Sequence, residues 1–240
     1  MTGQNRSAAV MQRRCVAPDS LDYFPTPPFA TRALCEFLAG HLKEPLGQLT
    51  VWEPACGELH MARPLAEYFG AVRASDVHRY ADHEVMDFLF FGGGEPTTDW
   101  IITNPPFVLA DAFIRTALDV ARGGVAMLLR GAFLEGEERH GDLFDKVPPD
   151  YVLQFSERVV MLKDRLIQSG KIDPFAEKPG TKASTATSYC WFVWLGGGAH
   201  WRDTRLRWIA PCRRRLERPG DYPDYAAAIE AEPGPLFLSG

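Results

Sequence analysis

Several features that would assign this 240-residue sequence to a common class of protein are missing. No apolar run approaches the length of a membrane span, and residues 1–19 carry arginines without an apolar segment, so we expect neither a membrane partner nor a secretory signal. The sequence has no C-x-x-C pair, and its cysteines are scattered and odd in number: Cys15, Cys35, Cys56, Cys190 and Cys212. This pattern argues against a disulfide framework and a zinc site, and it predicts a reducing, cytoplasmic environment and no bound metal.

Two glycine-rich motifs that bind phosphate groups are missing as well. The turn after the first predicted strand reads Glu53-Pro54-Ala55-Cys56-Gly57 and matches neither G-x-G-x-x-G nor G-x-x-x-x-G-K-[ST]. A turn of small residues between a strand and a helix still lets backbone amides approach a ligand. Asp76, about 20 residues further on at the end of the second predicted strand, has a position that suits ribose hydroxyls. Cys56 and His60 lie four residues apart, but no third metal ligand accompanies them.

An excess of basic residues, which marks many nucleic-acid-binding proteins, is also missing, because the net charge is −5. The charges are unevenly distributed, however. Seven arginines lie between positions 202 and 218 with only two acids, whereas residues 219–240 contain four acids and no lysine or arginine. We expect Arg213, Arg214 and Arg215 to contact phosphate groups; the alternative is an ordinary solvated surface.

The most informative stretch runs from Asp99 to Phe107. Its apolar part, Trp100-Ile101-Ile102, favours a strand, and two prolines end that strand because neither can donate a hydrogen bond within a sheet. Asn104 is therefore expected at the carboxyl end of a strand, where ligands bind in open α/β sheets.

This position gives Asn104 a possible chemical role. An exocyclic amine such as adenine N6 is a weak nucleophile because its lone pair is delocalised into the ring. The side-chain oxygen of Asn104 and the carbonyl of Pro105 are acceptors that could bind the two N–H groups and localise the lone pair. Phe107 could stack on the base outside the duplex. The alternative is that Asn104 only caps the predicted helix 108–121.

Strand and helix patterns alternate along the chain, which predicts a mostly parallel sheet with an antiparallel edge. The predicted helices cover residues 29–42, 59–69, 108–121 and 133–146. The predicted strands cover residues 49–52, 72–75, 100–102, 123–129, 151–155, 188–195 and 204–209, and the last is expected to pair antiparallel with 188–195. A further short strand is predicted at Asp87-Phe88-Leu89. Residues 156–187 are irregular and too long for an ordinary connection, which indicates a functional segment or disorder.

Taken in order, these motifs resemble those of S-adenosylmethionine-dependent amino-methyltransferases, specifically adenine-N6 DNA methyltransferases of the small phage or prophage type. Tyr23-Phe24-Pro25-Thr26-Pro27 is similar to the N-terminal cofactor motif of the family, and Glu53-Pro54-Ala55-Cys56-Gly57 to its glycine loop. Asp76 and Asp87 fall where the family has acids that bind the ribose and the adenine of the cofactor. Asn104-Pro105-Pro106-Phe107 matches its catalytic tetrapeptide.

The resemblance implies a Rossmann-like α/β fold with a seven-stranded, mostly parallel sheet and an antiparallel C-terminal hairpin. It implies S-adenosyl-L-methionine as the cofactor, DNA as the partner, and residues 104–107 as the catalytic group. The cofactor-binding residues would be Phe24, Thr26, Pro27, Glu53, Ala55, Gly57, Asp76, Asp87, Phe88 and Asn104. We expect DNA to contact the cations Lys163, Arg165, Arg213, Arg214 and Arg215.

One departure from the family concerns target recognition. Sequence-specific members carry a large recognition domain, whereas this chain divides into a flexible arm (1–21), a methyltransferase domain (22–210) with a small insertion (156–187), and a tail (211–240). We therefore expect short or relaxed sequence specificity on DNA. Related families share the Asn-Pro-Pro-aromatic motif, so methylation of RNA adenine or of a protein glutamine is an alternative. Another alternative is a non-catalytic module that keeps the fold to bind DNA or a partner.

Overall fold

The computed structural model describes residues 22–91, 98–196 and 203–225, and these ranges contain one eight-stranded sheet. The strands are β1 (Thr50–Glu53), β2 (Ala71–Asp76), β3 (Glu84–Val85), β4 (Thr98–Thr103), β5 (Ala121–Arg130), β6 (Tyr151–Phe155), β7 (Tyr189–Leu195) and β8 (Arg205–Ile209). The α-helices are α1 (Pro28–Phe37), α2 (Ala62–Leu65), α3 (Ala110–Val120), α4 (Glu137–Arg139) and α5 (Arg213–Leu216). Short 3-10 or π-helical turns lie at Leu38–Leu42, Leu46–Gln48, Phe88–Phe90, Phe107–Leu109, Gly131–Leu134 and His140–Phe144.

The strand order is β3-β2-β1-β4-β5-β7-β6-β8. The chain runs outward from β1 through β2 to β3 and then returns to place β4 on the other side of β1. At such a reversal, the connections that leave the carboxyl ends of the two central strands diverge and open a crevice. Glu53 at the end of β1 and Asn104 directly after β4 therefore lie where an open α/β sheet binds its ligand.

The central strands are buried on both faces. Trp100 and Ile102 of β4 belong to a core that includes α1, whereas Ile101 belongs to a second core that includes α3. This alternation follows from the two-residue period of a strand. Burial on both faces explains why β4, β5 and β7 each contain a continuous apolar run in the sequence.

The predicted Rossmann-like, mostly parallel architecture is confirmed, although the sheet has eight described strands rather than seven. Among these strands β7 alone runs antiparallel, and it lies between β5 and β6 and pairs with both. The prediction that residues 204–209 pair antiparallel with the aromatic strand 188–195 is wrong. Strand β8 instead pairs parallel with the outer edge of β6, because both edges of β7 are already occupied.

Three local predictions are also wrong. The strand predicted at Asp87 is a 3-10 turn, because the carboxylate of Asp87 accepts the N–H of Leu89, and the edge strand is β3 instead. The predicted helix 59–69 shortens to α2, and Leu59 just before it has a φ of 68°. The predicted helix 133–146 is interrupted at Gly136, whose φ is 133°. Segment 156–187 is irregular as predicted, with two isolated bridges, Leu162 to Arg165 and Ile172 to Lys182.

The predicted arm, 1–21, and the last part of the predicted tail, 226–240, lie outside the described residues. Within the described ranges, no helix is both long enough and apolar enough to cross a membrane.

Candidate active site

A cavity of about 380 Å³ lies at the carboxyl ends of β1, β2 and β4, and its size suits a small-molecule ligand. Its walls come from an N-terminal strap (residues 22–27), the turns after β1 and β2, and the segment that follows β4. Nine of the predicted cofactor-binding and catalytic residues line it: Phe24, Thr26, Glu53, Ala55, Asp76, Asp87, Phe88, Asn104 and Pro106. The other four, Pro27, Gly57, Pro105 and Phe107, do not line the cavity itself.

The side-chain amide of Asn104 is held in one orientation. Its Nδ2 donates to the backbone carbonyl of Phe24 at 2.8 Å and to the hydroxyl oxygen of Thr26 at 3.1 Å. Because a carbonyl can only accept, the amide nitrogen must face Phe24 and the amide oxygen must face away from it. That oxygen, Oδ1, is buried and has no hydrogen-bond partner among the described residues. A buried acceptor without a donor costs free energy, which a ligand with an N–H group would recover.

The N-terminal strap is fastened to the segment that carries Asn104 and to the β6–β7 connection. The carboxylate of Asp22 accepts a hydrogen bond from the backbone N–H of Phe107 at 2.6 Å. The carbonyl of Tyr23 accepts a hydrogen bond from the N–H of Asp164 at 2.9 Å. The strap therefore cannot move without breaking bonds to the residues on either side of the cavity.

Met161, from the β6–β7 connection, completes the surroundings of the Asn104 amide. Its Sδ lies 3.7 Å from Asn104 Nδ2 and 3.8 Å from Thr26 Oγ1, and the side chain is buried. Three segments that are distant in the sequence thus fix one amide group.

Gly57 lies where the strap crosses the turn after β1. Its φ is 48°, and its N–H donates to Asp76 at 2.9 Å. A Cβ at this position would be 2.4 Å from the ring of Tyr23. The Tyr23 hydroxyl donates to the Glu58 carboxylate at 3.1 Å, and its ring stacks on Tyr80 with the centroids 4.7 Å apart. The missing side chain of Gly57 allows this ring to close over the turn.

The wall of the cavity is acidic. It includes Asp22, Glu53, Asp76 and Asp87, and no lysine or arginine among the described residues lines it. Burial, together with the charge of Asp76, raises the pKa of the Glu53 carboxyl well above its usual range. Glu53 Oε2 also has no hydrogen-bond partner among the described residues. A positively charged ligand group would favour the charged forms of these carboxyl groups, whereas a phosphate group would disfavour them.

Cys56 and His60 both line the cavity, but their surroundings oppose metal or nucleophilic chemistry. Burial and the charge of Glu53 raise the pKa of the Cys56 thiol, which disfavours the reactive thiolate. Burial lowers the pKa of the His60 imidazole, whose Nε2 lies 3.2 Å from the carboxylate of Glu58. In the part of the chain that the structure describes, no cluster of three or more His, Cys, Asp or Glu could hold a metal ion.

Phe107 packs beside the cavity against other rings and one cation. Its centroid lies 5.2 Å from that of Phe24 and 6.1 Å from that of Tyr189. The guanidinium carbon of Arg130 lies over the ring of Phe107, 3.9 Å from its centroid. Where the sequence suggests a stacked base, the structure places a guanidinium group.

The predicted DNA-binding cations do not line the cavity. Arg213, Arg214 and Arg215 begin α5, and Lys163 and Arg165 lie in the β6–β7 connection. Three of them are ion-paired within the chain: Arg165 with Asp173, Arg213 with Glu217, and Arg215 with Glu36. Arg214 is exposed.

Sequence reasoning missed four contributors to this region: Asp22, Tyr80, Arg130 and Met161. Asp22 directly precedes the aromatic and proline motif of the strap, so its position was a usable signal. Arg130 and Met161 carry no local signal, because each acts only through contacts with residues more than 20 positions away.

No family model and no curated protein matches this sequence. Solved structures do match. The methyltransferase subunit of a type I restriction-modification system from Streptococcus thermophilus aligns with a TM-score of 0.53 and 12% identity, over 86% of this chain and 52% of that chain. A proposed RNA methyltransferase from Pyrococcus horikoshii aligns with a TM-score of 0.52 and 15% identity, over 82% of this chain and 100% of that chain.

The chain has a Rossmann-like methyltransferase fold. It spans about half the length of the Streptococcus structure and the full length of the Pyrococcus structure. At these identities the similarity concerns the arrangement of the strands and helices.

Proposed function

We propose that this chain transfers a methyl group from S-adenosylmethionine to the exocyclic N6 of adenine in DNA, at short or relaxed recognition sites. The observation that carries the proposal is the Asn104 amide. Its nitrogen is held by Phe24 and Thr26, and its oxygen is a buried acceptor without a described partner at a cavity of about 380 Å³. Such an oxygen suits the N–H of a flat amine.

The cavity fits the proposed cofactor electrostatically. S-adenosylmethionine carries a sulfonium and an ammonium group, and both are positive. Four carboxyl groups line the cavity without a described lysine or arginine, so a cation is favoured there and a phosphate-bearing cofactor is disfavoured. Glu53 lines the cavity, and its Oε2 has no hydrogen-bond partner among the described residues, so it is a further polar group suited to a hydrogen bond with the ligand.

Individual residues have roles that suit this cofactor. Asp76 accepts backbone N–H groups from Gly57 at 2.9 Å and from His78 at 3.0 Å, which fixes a carboxylate whose remaining lone pairs suit the ribose hydroxyls. Asp87 lies beside Phe88 and would accept a hydrogen bond from the amino group of the cofactor's adenine. The rest of the proposed contact set is Phe24, Thr26, Pro27, Glu53, Ala55, Gly57 and Asn104, of which Pro27 and Gly57 lie outside the lining of the cavity. When bound, the cofactor supplies an electrophilic methyl group.

The protein prepares the acceptor nitrogen. In the proposed reaction, Asn104 Oδ1 would accept one N–H of the adenine amine, and the carbonyl of Pro105, which directly follows Asn104 and does not itself line the cavity, would accept the other. The two bonds would direct the nitrogen lone pair out of the ring plane. The strap holds this corner rigid through the bonds from Phe24, Thr26 and Asp22. Such preorganised acceptors act at the charge that develops on the nitrogen during transfer.

DNA is preferred as the substrate because the Asn-Pro-Pro-Phe segment resembles that of adenine-N6 DNA methyltransferases. The Streptococcus structure belongs to a restriction-modification system, which agrees with this preference. RNA is the second candidate, because the chain covers the full length of a structure described as an RNA methyltransferase.

The deciding experiment is incubation with labelled S-adenosylmethionine and, in parallel, DNA, RNA and protein, followed by analysis of the modified nucleosides and residues. We expect label in N6-methyladenine of DNA. Asn104→Ala should lower kcat by at least about 100-fold, as the loss of one preorganised hydrogen-bonding group does in other enzymes, with little change in the Kd of the cofactor.

Gln154→Ala provides a matched control. It also removes a side-chain amide, but one that bonds to the Phe155 carbonyl in β6. Transfer by this variant should equal that of the parent. Unchanged transfer by Asn104→Ala would contradict the role of Asn104, and label in RNA or protein alone would overturn the choice of DNA.

A further inference from the structure

Arg130 occupies a place that the proposed function requires for the substrate. It ends β5, its side chain is exposed, and its guanidinium carbon lies 3.9 Å from the centroid of Phe107. It also lies 5.7 Å from the centroid of Phe24, and Tyr189, whose ring stacks beside that of Phe107, is its partner across β5 and β7. The guanidinium is thus bound at a defined position over the ring.

A guanidinium group and a base cannot share that position. Both are flat, and both stack on an aromatic ring at roughly 3.5–4 Å. Phe107 also packs against the core beside Phe24, so the space beside its ring is limited. A base that stacks on the face of Phe107 covered by Arg130 must displace the guanidinium.

A phosphate group would bind the Arg130 guanidinium more strongly than the ring of Phe107 does. An exposed cation–π contact is weak, whereas a guanidinium can bind a phosphate group through two parallel hydrogen bonds. A nucleotide within DNA brings both the flat base and the phosphate, but a free nucleoside brings only the base.

We propose that Arg130 is a gating and specificity residue, an inference that rests on the proposed function. Its guanidinium covers Phe107 in the free protein and moves to the nucleic-acid backbone when the base enters. The site thereby favours a base attached to a phosphate chain over free nucleosides and over the flat amide of a protein glutamine.

The test compares DNA with free adenosine as methyl acceptors for the parent and for Arg130→Ala. Removal of the guanidinium opens the ring to adenosine and removes a phosphate contact from DNA. The ratio of kcat/KM for DNA to kcat/KM for adenosine should therefore fall by about 3- to 30-fold, the range set by the strength of a cation–π contact. A structural role alone would lower both values together and leave the ratio unchanged, which would overturn the proposal.

Two further variants sharpen the comparison. Arg130→Lys keeps the charge but not the flat group, so it should retain more of the activity on DNA than Arg130→Ala while it still admits adenosine. Arg122→Ala removes an exposed arginine from the opposite end of β5, where Arg122 pairs with Asp99, and should leave the ratio at the parental value.

A binding measurement separates failure of this inference from failure of the proposed function. With S-adenosylhomocysteine saturating the cofactor region, adenosine should bind Arg130→Ala more tightly than the parent in calorimetric titrations. Equal affinity, including no detectable binding by either protein, would overturn the role of Arg130. Absence of methyl transfer to DNA by the parent would overturn the proposed function, and the adenosine titration would still decide the role of Arg130.

Discussion

Gly57 and Tyr23 approach each other so closely that a larger side chain at position 57 requires the Tyr23 ring to move. The φ of 48° disfavours other residues, and an added Cβ would lie 2.4 Å from the Tyr23 ring. Gly57→Ala should therefore reduce the free energy of unfolding by about 1–3 kcal/mol, measured by chemical denaturation.

Gly40 is a suitable control for this substitution. It lies in the helical turn after α1, and a Cβ there would meet no atom within 4 Å. Gly40→Ala should leave stability unchanged or raise it by up to about 1 kcal/mol. Equal effects of the two substitutions would show that the strap does not press on the turn.

At the scale of single residues, the sequence predicts where a residue lies relative to a strand or helix better than it predicts which residues it contacts. Asn104 was predicted to follow a strand because Pro105 and Pro106 must end one, and this is confirmed. Its bonds to Phe24 and Thr26 span 80 and 78 positions, and no local pattern encodes such separations. The assignment of chemical roles to these residues stays a prediction.

At the scale of elements, a buried arginine joins α1 to the segment around α5. Arg32 is 3% exposed and forms two bonds to Glu67, two to Asp221 and one to the carbonyl of Leu216. The carboxylate of Asp221 is also buried, with 7% exposure. Loss of the cation would leave this carboxylate without its main partner.

We therefore expect Arg32→Met to reduce the free energy of unfolding by about 3–5 kcal/mol, as the removal of one partner from a buried ion pair does. Thermal or chemical denaturation would measure the change.

The control for Arg32 is Arg215→Met, on the same contact between α1 and α5. Arg215 also forms two bonds to a carboxylate, that of Glu36, but its side chain is 62% exposed. Water already screens this pair, so Arg215→Met should reduce the free energy of unfolding by less than about 1 kcal/mol. A similar loss of unfolding free energy in both variants would show that burial does not determine how much these ion pairs stabilise the fold.

The existence of elements was more predictable than their pairing. Strand β7 was expected from its aromatic and β-branched residues and is confirmed within one residue. The partner of β8 was predicted wrongly, since a short sequence distance suggested β7 while the free edge in the sheet belonged to β6. Even the existence of a short element can be mispredicted. At Asp87, one hydrogen bond from the backbone N–H of Leu89 to the side-chain carboxylate stabilises a turn where a strand was expected.

At the scale of the whole molecule, the net charge of −5 hides a local basic surface on α5. If DNA contacts this surface, replacement of Arg213, Arg214 and Arg215 by alanine should weaken the salt dependence of DNA binding. The plot of the logarithm of the association constant for DNA against the logarithm of salt concentration should become less steep. Arg213 and Arg215 already pair with carboxylates, so the exposed Arg214 should account for most of the change, with a reduction in slope of about 0.9. Filter binding between low and moderate salt would measure it.

Arg213→Ala alone is the comparison for Arg214→Ala, and its effect on the slope should be smaller. An unchanged slope in the triple variant would identify the cluster as a solvated surface without a role in DNA binding.

The architecture as a whole followed from the alternation of apolar strands and amphipathic helices. The insertion 156–187 could be predicted only as irregular, because its small core of Val160, Ile167 and Ala183 includes contacts with Tyr225 from beyond β8. A core assembled from both ends of the final third of the chain leaves no periodic pattern in either piece.

The position of β7 between β5 and β6 has a consequence for synthesis on the ribosome. Strand β6 pairs only with β7 and β8 among the described strands, and both follow it in the chain. As the polypeptide emerges, more than 30 residues must be synthesised after residues 151–155 before the first strand that pairs with them, β7, begins. A nascent chain that stalls within this interval exposes two unpaired apolar strand edges, those of β5 and β6, and such edges promote aggregation.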